Sequence, residues 1–223
     1  DETAVDFLES MNVPAYKIAS FEITDYPLLE KVGNTGKPVI LSTGMATFEE
    51  IKDAIRKLNS SGTESIALLK CTSTYPSSPK NSNLRTIPDM RDKFNCEVGL
   101  SDHTLGCGVA ITAISNGATI IEKHVTLDRT EPGPDSAFSM EPEEMQNLVE
   151  ETLRAWKSLG RIHYGPSESE KSSMKYRRSI FAIEDIKEGN YFTKKNIKCF
   201  RPFIGIEPKY YGEIMGSRAL KKI

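Results

Sequence analysis

Apolar residues in this chain alternate between two textures. Short continuous runs at 16–20, 38–41, 66–69, 98–100 and 119–121 are each followed by a longer stretch with helical spacing. Continuous runs of this length read as strands buried on both faces, as in a parallel sheet covered by helices. The intervening segments predict helices at 1–12 (Val5, Leu8 and Met11 on one face), 25–32, 87–94, 108–115 and 141–159. A further helix carries Ile51, Ile55 and Leu58 and opens with Thr47 and Glu50 at capping-box spacing.

Polar residues cluster just after each run: Ser20/Glu22, Ser42/Thr43, Ser73/Tyr75, Ser101/His103 and Lys123/His124. Reactive groups at five consecutive strand ends fit a (β/α)8 barrel, whose active site is built from those ends. An open α/β sheet would concentrate them at one switch point. The predicted fold is therefore α/β, a partial TIM barrel holding the last five β/α units, with three units expected upstream. On that expectation these residues alone are inactive.

After Gly160 the texture changes. Residues 161–175 are polar, with Gly, Pro and four serines, and predict a linker. Short β-like runs at 179–183, 191–192 and 197–200, around a turn at 187–190, predict a small β-rich domain over 176–223, expected to be truncated at its end. The expected domains are thus 1–160, a linker at 161–175, and 176–223.

With 29 basic and 31 acidic residues among 223 and no long basic run, nucleic-acid binding has no electrostatic support. No stretch nears the roughly 20 apolar residues of a membrane span. Cys71, Cys96, Cys107 and Cys199 lack Cys-x-x-Cys spacing and predict reduced, buried, structural thiols in a cytoplasmic protein. His103 and His124 each end an apolar run. On neighbouring parallel strands both imidazoles would emerge at one sheet edge and could share a divalent ion with open coordination positions. The bland alternative is a pair of structural histidines. His163 lies in the expected linker and reads as solvated.

The segments 17–22 (KIASFE), 41–45 (LSTGM), 75–76, 83–85, 99–106 (GLSDHTLG), 121–124 (IEKH) and 133–135 together resemble the sialic acid synthase family. These nonulosonic acid synthases are transferases that condense phosphoenolpyruvate with an N-acetylated sugar aldehyde. Residues 17–22 and 133–139 look most like the family's pseudaminic branch. The tail from Tyr176 resembles its antifreeze-like (SAF) domain.

The resemblance implies Mn²⁺ or Mg²⁺ on His103 and His124, acting as Lewis acid on the aldehyde oxygen. It implies that Lys17, Ser20, Ser42 and Ser101, with the amides around Thr43-Gly44, cradle phosphoenolpyruvate, and that Ser73 and Tyr75 add polar contacts. Glu22 would move a proton or position the attacking water, and Asp135 would accept hydrogen bonds from sugar hydroxyls. Asp102 would orient a ligand or cap the next helix. Ala137 and Phe138 would wall the methyl of a 6-deoxy sugar. Arg201 would reach the substrate N-acetyl group of a partner subunit, implying a domain-swapped homodimer. Read from residues alone, Arg201 is a surface arginine and Glu22 a loop carboxylate. The rival readings are N-acetylneuraminate or legionaminate synthesis, and a non-catalytic sugar-binding or antifreeze-like protein.

Overall fold

Five parallel strands, paired in chain order, form the sheet that carries the polar strand ends. In this computed structural model, which describes residues 1–223, they are β1 (Tyr16–Ile18), β2 (Val39–Ser42), β3 (Ile66–Cys71), β4 (Glu97–Asp102) and β5 (Ile121–Lys123). Helix α1 (Glu2–Ser10) precedes β1. Helices α2 (Tyr26–Gly33), α3 (Phe48–Ser61), α4 (Thr86–Phe94), α5 (Gly108–Ser115) and α6 (Pro142–Leu159) each follow a strand, the crossover that parallel neighbours require. The sheet curls: Lys17 of β1 and Glu122 of β5, on opposite edges, meet through their side chains at 3.4 Å. The result is a half-barrel consistent with part of a (β/α)8 barrel.

Strand alternation sorts the side chains. Tyr16, Ile18, Val39, Leu41, Ile66, Leu68, Val98 and Leu100 enter one core with the helices. Their neighbours of opposite parity, including Lys17, Ser42, Cys71, Ser101 and Glu122, take the other face. Leu29, Leu41, Leu58 and Leu68 are fully buried, each worth about 1.5–3 kcal/mol of apolar burial. Gly99 makes room for the approach to β5. A Cβ there would lie 2.3 Å from the Ile120 carbonyl oxygen and 2.8 Å from Leu69 Cδ2.

Thr47 and Glu50 form the expected capping box. Several local expectations are corrected. Met11 is exposed because α1 ends at Ser10, leaving Met11 as its C-cap. The last strand starts at Ile121, two residues later than its apolar run. Of the four free cysteines only Cys71 is buried. Within the stretch expected to be a linker, Glu168–Tyr176 winds as 3-10 helix, capped by reciprocal hydrogen bonds between Ser167 and Glu170. His163 is exposed.

The chain divides into two compact units, Asp1–Gly160 and Arg161–Ile223. In the second, β6 (Ser179–Ala182) and β7 (Ile197–Phe200) pair antiparallel, with the rings of Phe181 and Phe200 stacked at 4.4 Å. The expected run at 191–192 makes only an isolated bridge, Tyr191 to Arg218. Ile186, Ile197 and Ala219 form the small core, and α7 (Tyr211–Ile214) packs against it through Tyr211 and Ile214. The units differ in charge: the first has 15 basic and 24 acidic residues, the second 14 and 7.

Candidate active site

Parallel register sets the histidines side by side. Ser101 pairs with Glu122 and Asp102 with Lys123, so His103 and His124 follow directly at the C-terminal ends of β4 and β5. Their ring centroids lie 5.2 Å apart. Tyr75 stands over both, at 4.2 Å from His103 and 5.7 Å from His124, and Phe138 lies 5.2 Å from His124. The segment after β5 returns to hydrogen-bond with the strand end, Met140 N–H donating to the His124 carbonyl. Arg129 ties it to Glu141 and Glu144 at the start of α6. That return brings Asp135 and Phe138 to His124.

The ring nitrogens are differentiated. His103 Nδ1 lies 2.9 Å from the Thr72 carbonyl oxygen. A carbonyl only accepts, so the proton sits on Nδ1 and the neutral ring presents the Nε2 lone pair. On His124, Nδ1 faces the Asp135 carboxylate at 3.5 Å. Metal-ligating imidazoles usually have their other ring nitrogen oriented by a carbonyl or carboxylate in this way. Two neutral imidazoles on one rim are a donor set compatible with a divalent ion that keeps open positions; no group of three or more His, Cys, Asp or Glu forms there. The residues therefore fit the implied divalent ion. Burial opposes charge on His103, but Cys71, the Thr72 carbonyl and Asp102 outweigh it and hold the imidazole above its ordinary pKa.

Beside the histidines lies a small polar cradle. Gly44 N–H donates to Ser20 Oγ at 2.9 Å. A Cβ on Gly44 would lie 2.2 Å from Ser73 Oγ, 2.7 Å from Ser20 Oγ and 3.1 Å from Cys71 Sγ, so only glycine leaves this space open. Ser42 Oγ is buried without a hydrogen-bond partner. Thr43, by contrast, spends its hydroxyl proton on the Leu69 carbonyl. Ser101 Oγ donates to Glu122 Oε1 at 2.7 Å, and Lys17 Nζ pairs with Glu122 Oε2. The structure thus gathers Lys17, Ser20, Ser42, Thr43, Ser73, Tyr75, Ser101, His103, His124 and Asp135 around the strand ends of the first unit. Glu22 is half-buried in the turn after β1. Its charge reaches Tyr75: burial, reinforced by Cys71, Asp135, Glu122 and Glu22, holds that phenol above its ordinary pKa. Arg201 belongs to the second unit, exposed just after β7.

Two participants, Cys71 and Glu122, escaped sequence reasoning, and Lys123, expected among the polar strand-end groups, has its side chain buried within β5 instead. Cys71, expected to be structural, lies 3.7 Å from Ser73 Oγ and 3.9 Å from His103 Nδ1. Burial opposes its ionisation, yet hydrogen bonding with His103, Ser20 and Ser73 brings the thiol pKa down to about 7. Glu122 links Lys17 to Ser101, and its two-residue spacing from His124 was the available signal. Lys123 forms a buried pair with Asp102 at 3.0 Å. Asp102 therefore touches Lys123 and Thr104 rather than the His103 ring.

Residues 1–164 match the NeuB family. The chain belongs to that family. Among NeuB relatives it is 43% identical over 220 residues to pseudaminic acid synthase of Helicobacter pylori, covering 98% of this chain and 64% of that protein. It is 40% identical to N,N'-diacetyllegionaminic acid synthase of Legionella pneumophila, covering 98% and 63%. A crystal structure of N-acetylneuraminic acid synthetase from Leptospira borgpetersenii, in complex with citrate, superposes with a TM-score of 0.72 at 38% identity, covering 79% of this chain and 62% of that one. The chain thus spans less than two thirds of the length of these proteins, 62–64%, and it falls within the sialic acid synthase family on both sequence and fold.

Proposed function

We propose that the full-length protein is a pseudaminic acid synthase, joining phosphoenolpyruvate to a 2,4-diacetamido-2,4,6-trideoxy hexose. One observation carries the reading. Two imidazoles with oriented Nδ1 atoms stand beside a cradle of ammonium, hydroxyl and amide groups at the strand ends of a half-barrel. In the reaction, carbon 3 of phosphoenolpyruvate bonds to the aldehyde carbon, water adds to carbon 2, and inorganic phosphate leaves. His103 and His124 would hold a divalent ion, Mn²⁺ or Mg²⁺, which would supply Lewis-acid polarisation of the aldehyde. Lys17 and the hydroxyls of Ser20, Ser42, Ser73 and Ser101, with the amides around Thr43 and Gly44, hold the anionic phosphoenolpyruvate. Glu22 takes or relays the proton of the attacking water. Tyr75 and Asp135 bind the sugar face nearest His124.

Phe138 beside His124 favours a substrate whose far end is a methyl. The Legionella relative, at 40% identity, keeps legionaminate synthesis as a second reading, since that precursor is also a 6-deoxy sugar. The second unit is read as an antifreeze-like (SAF) domain that brings Arg201 to the N-acetyl group in a partner copy. That role requires association of two chains into a domain-swapped homodimer. No helix is long and apolar enough to cross a membrane, and the four thiols are free, in keeping with a cytoplasmic enzyme.

The deciding experiment is phosphate release by the full-length protein with the pseudaminic, legionaminic and N-acetylmannosamine substrates, before and after chelation. Turnover with the pseudaminic precursor, lost on chelation and restored by Mn²⁺, is expected. Turnover with N-acetylmannosamine alone overturns the sugar assignment, and full activity after chelation overturns the metal.

A further inference from the structure

The residues immediately preceding the two histidines form a buried ion pair. Asp102 and Lys123 are register partners on β4 and β5. Lys123 Nζ lies 3.0 Å from Asp102 Oδ2, with side chains only 3% and 1% exposed respectively. By alternation they point to the helix side, opposite the histidines. The pair also grips the far flank of His103. Thr104 donates both its N–H (2.9 Å) and its hydroxyl (2.8 Å) to Asp102 Oδ1, and Lys123 Nζ donates to the Thr104 carbonyl. Residues 102 and 104 are thereby pinned on either side of one histidine, by a lysine bonded directly to the other.

We propose that Asp102 and Lys123 are positioning residues that fix the separation and aim of His103 and His124 for their shared ion. The inference rests on the metal reading given above. A buried pair is poor evidence for a stability role, because apolar residues of similar volume often serve folding as well. What apolar residues cannot do is bond Thr104 at three points and couple two strands at the level of the ligands. The imidazoles are otherwise held by the Thr72 carbonyl and Cys71 at His103, by Asp135 and Phe138 at His124, and by Tyr75 over both rings.

The test uses the full-length protein and Mn²⁺ alone. Free Mn²⁺ is measured by its EPR signal, well below each variant's melting temperature. Lys123→Met strands the Asp102 carboxylate and should lower both Tm and Mn²⁺ affinity. The informative variant is the double Asp102→Leu/Lys123→Met. It should recover most of the lost Tm yet bind Mn²⁺ about 10- to 100-fold more weakly, the range typical of groups that orient metal ligands. A folded double variant with wild-type affinity overturns the proposal. Should the double variant not fold, Lys123→Met alone decides, because it removes the bond to the Thr104 carbonyl and the link between the strands, and wild-type affinity there overturns the proposal equally. Wild-type protein that is folded but binds no Mn²⁺ overturns the metal reading together with this one, an outcome distinct from a failure in the variants alone.

Discussion

Lys17 Nζ lies 3.4 Å from Glu122 Oε2, although their strands are the two edges of the sheet. The contact records the curl of the half-barrel and ties the proposed phosphoenolpyruvate site to the strand that carries His124. Both side chains are about one-third exposed, so the pair itself contributes at most about 1 kcal/mol to stability. On the function proposed above, the pair aims the lysine. Glu122→Gln should leave Tm nearly unchanged while raising KM for phosphoenolpyruvate roughly tenfold, in line with the cost of a mispositioned binding group. An unchanged KM would contradict the assignment.

Gly44 is the position where one added carbon should act most directly. Its Cβ would enter the space shared by Ser20, Ser73 and Cys71. Gly44→Ala should destabilise the protein by about 1–3 kcal/mol through overpacking. It should also abolish phosphoenolpyruvate binding measured by calorimetry, while Mn²⁺ binding at the histidines persists.

Phe138 is expected to sort sugars. Replacing it with Ser should narrow the preference for 6-deoxy over 6-hydroxy substrates by about 1–3 kcal/mol, the value of one hydrophobic contact of this size. Ratios of kcat/KM for a matched substrate pair measure this. An unaltered ratio would place the methyl elsewhere.

The first unit should weaken at both pH extremes through one cluster. Burial, then the Glu9 carboxylate that its hydroxyl bonds at 2.6 Å, push the Tyr16 phenol up to about 12. The unfolded chain ionises near the ordinary value of about 10. Stability is therefore fully present below pH 10 and drains away as pH rises toward 12. Lys37, with Tyr16, holds Glu9 below the usual carboxylate range, so that contribution is present above its unfolded pKa and is lost as pH falls. In urea titrations, Tyr16→Phe should flatten the alkaline limb; an unchanged limb would show that another group governs it.

Local chemistry made much of this fold readable in advance. Each apolar run became a parallel strand because its residues must face both a helix and a strand neighbour. Thr47 and Glu50 form their capping box within a single turn. His103 and His124 were legible because strand ends of a parallel sheet share one rim. Glu122 was not, because its lysine partner is far away in sequence and reached only through curvature. Cys71 was hidden for a related reason. Its neighbours Ser20, Ser73, His103 and Gly44 come from separate segments, and a lone cysteine in an apolar strand gives no local hint of them. The winding of Glu168–Tyr176 was concealed by a composition that suits a linker, although Ser167 and Glu170 carried capping-box spacing.

The Ser42 hydroxyl is buried and no protein group answers it. A buried polar group left unmet destabilises by about 1–3 kcal/mol, and an arriving acceptor can return that energy as affinity. Ser42→Ala should accordingly raise Tm while weakening anion binding. The protein would then be most stable in a form less fit for its chemistry, with stability and recognition set against each other at a single oxygen atom.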